Sequence, residues 1–153
     1  MSEYQLAQLN IGNPAYALDS PELKDFIDNL DLINSLAERS DGFVWRLQTP
    51  AGNATEVDAA VFKNYGDNTI VNMSTWSDAE SLRHFVYKTV HARFLKRRAE
   101  WFTEMKSYAV LWWVPEGTIP TLDEAHAKLQ LLEKQGPTPD AFSLNQTFGP
   151  GPV

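Results

Sequence analysis

The sequence predicts an α+β fold in which helices cover an antiparallel sheet. Short apolar segments with partial alternation are separated by longer amphipathic ones in the order strand, helix, strand, strand, helix, strand. Breaker clusters punctuate the changes, among them Gly12-Asn13-Pro14, Asp41-Gly42, Pro50-Ala-Gly-Asn53 and Pro115-Glu-Gly117. A chain of 153 residues holds one core and not two. It reads as a single domain, with a core over residues 1–115 and an accessory helix and C-terminal arm over residues 116–153.

Tyr4 to Ile11 is the first strand. Ser20-Pro21 announces a helix, with Ser as cap and Pro in the first turn, and Leu23, Phe26, Ile27, Leu30, Ile33 and Ala37 recur at helical spacing. Phe43 to Gln48 alternates as a second strand, and Glu56 to Phe62 is a candidate for a further short one. Thr69 to Trp76 is β-branched and apolar, as a central strand requires. Ser77-Asp-Ala-Glu80 fits a capping box, opening a helix that can run to about Lys106, with a break between Tyr87 and Val90. Tyr108 to Val114 is the last strand. Thr121-Leu-Asp-Glu124 is a second capping box, and Gly136-Pro137 stops the helix it opens. Phe142, Leu144 and Phe148 in the Pro- and Gly-rich tail suggest that the tail docks.

This order is that of a ferredoxin-like split βαβ sandwich. Two helices would cover one sheet face and leave the other bare in a monomer, to be buried by a partner or by the tail; pairing of two such sheets is the common solution, so a homodimer is expected.

A net charge of −7 with a pI near 4.9 removes the general electrostatic reason to bind nucleic acid or anionic lipid. No cysteine is present, which excludes a thiolate nucleophile and Cys-ligated metal. The longest apolar run, Ala109 to Val114, is far short of a membrane span, and the first residues lack a leader pattern. The chain is expected to be soluble and cytoplasmic. Its surplus is aromatic: five Trp, five Tyr and eight Phe exceed what a small core requires.

Seven of the thirteen Lys and Arg residues lie between Arg83 and Lys106. At 100° per residue, Arg93, Lys96, Arg97, Glu100 and Glu104 gather on one side, a mixed solvated face. The other side carries Tyr87, Phe94, Leu95, Trp101, Phe102 and Met105 together with His84, His91 and Arg98. These three polar residues recur every seven positions, forming a polar line on a surface that should meet the sheet. Either they are satisfied structurally, Arg98 by a carboxylate, or they border a pocket where imidazole handles protons and guanidinium holds an anionic oxygen. Seven helical residues rise roughly 10.5 Å, too far for His84 and His91 to share a metal. No metal site is expected.

Several motifs in order carry a resemblance: Gly42-Phe-Val-Trp-Arg-Leu47, Asn72-Met-Ser-Thr-Trp76, Phe85-Val-Tyr87, His91-Ala-Arg-Phe94, Arg97-Arg-Ala-Glu-Trp-Phe102, Leu111-Trp-Trp-Val-Pro-Glu-Gly117 and Gly136-Pro-Thr-Pro139. They resemble the bacterial and fungal family termed domain of unknown function 3291, across nearly the whole chain. That family is similar to the dimeric α+β barrel superfamily, which includes antibiotic-biosynthesis-type and haem-degrading monooxygenases. In the haem-degrading relatives an Asn on the first strand, a Trp on the third and a His on the next helix form the working set. The resemblance implies comparable places for Asn10, Trp76 and His84 or His91, with a different spacing from Trp to His.

The leading expectation is a small-molecule enzyme without a cofactor, oxygenase-like or isomerase/lyase-like, with its pocket between sheet and long helix. His91 would transfer the proton, with His84 as a second candidate, and Arg98 would stabilise an oxyanion. Asn10, Trp76, Tyr87, Phe94, Trp101 and Trp112 or Trp113 would bind the substrate. Adjacent strand residues face opposite ways, so Trp112 and Trp113 cannot share one surface. The alternatives are a haem or tetrapyrrole protein with a single axial His, and a non-catalytic dimeric binding or scaffold protein.

Overall fold

The structure, a computed structural model, describes residues 3–17, 19–47, 69–89, 91–103 and 108–150. The candidate strand Glu56 to Phe62 lies outside the described residues.

Four strands form one sheet: β1 (Tyr4–Gly12), β2 (Phe43–Arg46), β3 (Ile70–Trp76) and β4 (Ala109–Pro115). Their spatial order is β2-β3-β1-β4 and each pairing is antiparallel. This is the ferredoxin-like split βαβ arrangement that the element order predicts.

The helices are more fragmented than periodicity suggests. The first region divides into a short 3-10 turn, then α1 (Lys24–Asp28) and α2 (Leu30–Glu38). The break falls at Asn29, whose side-chain amide donates to the Asp25 carbonyl at 2.7 Å and takes the acceptor that a continuing helix would use. Ser20 does not cap: no backbone amide reaches its side chain, and its hydroxyl is buried without a partner.

The long second helix is three pieces, α3 (Ala79–Lys88), α4 (His91–Lys96) and α5 (Arg98–Trp101). Thr89 causes the first break, which falls where the sequence places one, between Tyr87 and Val90. It is extended, its hydroxyl donates to the Phe85 carbonyl at 2.6 Å, and the hydroxyl oxygen accepts from the His91 amide at 3.2 Å. The cap of α3 is Asp78, one residue later than the capping box placed it; its carboxylate accepts from the Ser81 amide at 2.7 Å, while Glu80 pairs with Arg83. Thr121 caps α6 (Leu122–Gln135) as read, accepting from the Glu124 amide, while the Glu124 carboxylate accepts from the Trp112 indole.

The two sheet faces have separate cores. Leu6, Trp76 and Leu111 point towards α2 and α3, packing with Ala37, Leu82 and Phe85. Ala7, Leu9, Ile11, Val71, Met73, Val110, Trp112 and Val114 point the other way and pack with Ala125 and Leu129 of α6. That second face, expected to need either a partner or the tail, packs against α6 of its own chain. Leu9 and Val110 are completely buried without a second copy.

The arm after α6 returns to the sheet. Phe142 exchanges two backbone hydrogen bonds with Leu111, at 2.8 and 2.9 Å. Arg83 donates to the Leu144 carbonyl and the Trp113 indole to the Phe148 carbonyl, each at 2.8 Å. The arm thus lies on its own chain, along the β4 edge and against α3.

Candidate functional site

Between the helix-facing side of the sheet and the segments α1 to α5 lies a cavity of about 480 Å³. β1 and β3 form its floor. Alternation puts Gln8 and Asn10 of β1 on that side, directly opposite Ser74 and Asn72 of β3. These four polar side chains hydrogen-bond to one another: Gln8 Nε2 donates to Asn72 Oδ1 and Ser74 Oγ, and Asn10 Nδ2 donates to Gln8 Oε1 and Asn72 Oδ1. Trp76, buried at the end of β3, donates its indole N–H to Ser74 Oγ at 2.9 Å.

The walls are largely apolar. Phe26, Ile33, Leu82, Phe85, Phe94, Leu95, Trp101 and Phe102 contribute to them. Trp76 stacks on Phe85 at 5.4 Å, and Phe94 on Trp101 at 5.8 Å. Gly12 closes the β1 end because the Phe102 ring lies on its backbone: a Cβ there would sit 2.7 Å from ring carbon Cδ1.

His91 enters from the start of α4. Its Nδ1 lies 3.2 Å from the Val86 carbonyl, which can only accept, so Nδ1 carries the proton and Nε2 keeps its lone pair. Burial holds the imidazole below its ordinary pKa, an effect that the Val86 hydrogen bond only partly offsets. His91 is thus a neutral base at neutral pH, with Nε2 unpartnered among the described residues.

Arg98 begins α5 just past the bend at Arg97. Arg97 stays at the surface with Glu100 and Asp25, stacked over Trp101, whereas Arg98 turns inward. Its Nη2 donates to the Ile11 carbonyl at 2.8 Å, and the guanidinium lies 3.9 Å from the Tyr108 ring centroid. Burial lowers its pKa, but an arginine remains a cation here. The carboxylate partner considered in the sequence is not found among the described residues. The cavity's other cation, Arg46, is neutralised by Glu38 at 2.7 Å, and no Asp or Glu is among the described residues that line the cavity.

Of the residues proposed from sequence, Asn10, Trp76, Tyr87, His91, Phe94, Arg98 and Trp101 line this cavity, with Tyr87 at an exposed position. His84 is exposed on α3 and does not. The kink at Thr89 separates it from His91, so the seven-residue polar line is not continuous. Trp112 lies on the opposite sheet face, bonded to Glu124, and Trp113 packs under the arm; neither lines the cavity. Sequence reasoning missed Gln8, Asn72, Ser74, Asn34 and Arg46. The signal existed for two of them: Asn72 and Ser74 alternate with apolar residues on a strand read as central, where a polar side cannot face solvent, and Gln8 stands opposite them on β1. Among the described residues no His, Cys, Asp and Glu cluster could hold a metal ion, and no helix is long and apolar enough to cross a membrane.

Three solved structures share the general architecture. They are a protein of unknown function, NE2512, from Nitrosomonas europaea (12% identity, 78% of this chain and 95% of that one, TM-score 0.47); SnoaB, a cofactor-independent oxygenase from Streptomyces nogalater (17%, 76% and 98%, 0.48); and Rv0793 from Mycobacterium tuberculosis (11%, 76% and 99%, 0.46). At these scores the similarity assigns no activity. No curated protein matches the chain. Residues 5–152 match the sequence model of the family described as Domain of unknown function (DUF3291). That match spans nearly the whole chain, and the chain belongs to the DUF3291 family.

Proposed function

We propose that the cavity binds an anionic, largely aromatic small molecule, from which His91 withdraws a proton while Arg98 holds the developing oxyanion. The observation that carries this reading is the Arg98 charge. A half-buried cation with no carboxylate partner among the described residues carries a desolvation cost, and here it borders a cavity whose described lining contains no acid. An anionic ligand supplies the missing counter-charge. His91 supports the same reading, because burial keeps it neutral and its Nδ1 hydrogen bond reserves Nε2 for accepting a proton. Proton removal beside a fixed guanidinium serves both oxygenase-like and isomerase/lyase-like reactions.

Naphthoate and the neutral naphthamide test the charge requirement by calorimetry. Naphthoate is expected to bind at least tenfold more tightly, and Arg98→Met to erase the difference. Equal affinity of the wild-type protein for both compounds would refute the reading. For a confirmed substrate, His91→Ala is expected to lower kcat by about 10²- to 10⁴-fold with KM little changed.

A further inference from the structure

The hydrogen bonds of the cavity floor can be counted donor by donor. Gln8 Nε2 spends both hydrogens, on Asn72 Oδ1 at 2.7 Å and on Ser74 Oγ at 2.8 Å. Asn10 Nδ2 also spends both, on Gln8 Oε1 at 3.1 Å and on Asn72 Oδ1 at 3.2 Å. The Trp76 indole N–H, which can only donate, takes the second lone pair of Ser74 Oγ at 2.9 Å. Ser74 therefore accepts twice, and its own hydroxyl hydrogen has no acceptor among the described residues. Asn72 accepts twice as well, and neither of its Nδ2 hydrogens is taken among the described residues. Ser74 is 6% exposed and lines the cavity beside Asn72, so the volume left for these unspent hydrogens is the cavity itself.

We propose that Ser74 binds an oxygen of the ligand: its hydroxyl, held as a donor by Trp76 and Gln8, gives a hydrogen bond to a carbonyl-type acceptor, with the Asn72 amide as the second donor. The proposal rests on the anion-binding reading above and adds a second recognition point to it. Trp76 becomes a positioning residue, since its N–H is committed to Ser74 and does not reach the ligand. Geometry also sets the ligand's length. Arg98 is anchored at Ile11, three residues along β1 from Gln8, the partner of Ser74, so the two recognition points lie roughly 10 Å apart along the strand. The ligand class is a flat molecule of about two fused rings, anionic at one end and carrying a neutral carbonyl at the other.

The test compares naphthoate with an acetylnaphthoate that carries its carbonyl on the far ring. Wild-type protein is expected to prefer the acetyl compound about tenfold, the value of one additional buried hydrogen bond. Ser74→Ala should abolish that preference, so that the variant binds the two compounds equally. Trp76→Phe, which keeps a ring but loses the N–H, should reduce the preference about threefold. A preference that survives Ser74→Ala overturns the assignment of Ser74, and one left undiminished by Trp76→Phe overturns the positioning role. Equal wild-type binding of both compounds also overturns the Ser74 proposal while leaving the anion site standing. Failure of both compounds to bind overturns the anionic-ligand reading and this proposal with it.

Discussion

His84 and His91 share a side chain and have opposite surroundings. His84 is exposed to solvent; His91 is packed 4.9 Å from the Phe85 ring and bonded to a backbone carbonyl. Because burial lowers the folded-state pKa of His91, the unfolded chain takes up the proton first on acidification. Its contribution to stability is then complete above about 6.5 and declines as pH falls from there through the folded-state value. His91→Asn, which cannot take up that proton, is expected to show a shallower loss of urea midpoint across this window. Parallel curves for the two proteins would exclude His91 as the source. The seven-residue spacing in the sequence selected His91 and Arg98 for the cavity, yet it selected His84 with equal force. Spacing assumes one straight helix, and the choice between the two histidines is made by the Thr89 hydroxyl, whose capture of the Phe85 carbonyl no periodicity encodes.

At the scale of elements, the strands and their order were legible because alternation and turn residues report directly on sheet geometry. Helix ends were less so. Asn29 and Thr89 divide helices by taking carbonyls with their own side chains, and Asp78 displaces Ser77 as cap because either side chain can satisfy a first-turn amide. The joint between α2 and β2 depends on Gly42. Its φ of +83° disfavours any side chain, and a Cβ there would run into Ser81 at the start of α3. Gly117 has the same conformation with nothing near the corresponding position. Gly117→Ala is therefore expected to cost about 1 kcal/mol and Gly42→Ala clearly more, as measured by chemical denaturation. Equal losses would show that conformation alone, and not the close approach to α3, makes Gly42 necessary.

For the molecule as a whole, the aromatic surplus divides differently from what a bare sheet demands. Trp112 serves the α6 interface, Trp113 the arm, and Trp76 and Trp101 the cavity. The sequence could show that an apolar face needed covering, but not that α6 would be the cover, because an amphipathic stripe does not name the surface it meets. Leu129, completely buried on that helix, is the test: Leu129→Ala is expected to cost about 2–5 kcal/mol. A stability unchanged by the substitution would mean that α6 does not seal the sheet.

The order in which this chain is made gives that seal a further consequence. On the ribosome, β1 to β4 and the cavity-forming helices all emerge before α6 and the arm. Until those last segments appear, the nascent sheet has one uncovered apolar face and an unpaired β4 edge, both of which invite association with other chains. The floor that positions Ser74 and Asn72 therefore gains its backing only after α6 has been made, and the interval before α6 docks is when the chain has most need of a chaperone.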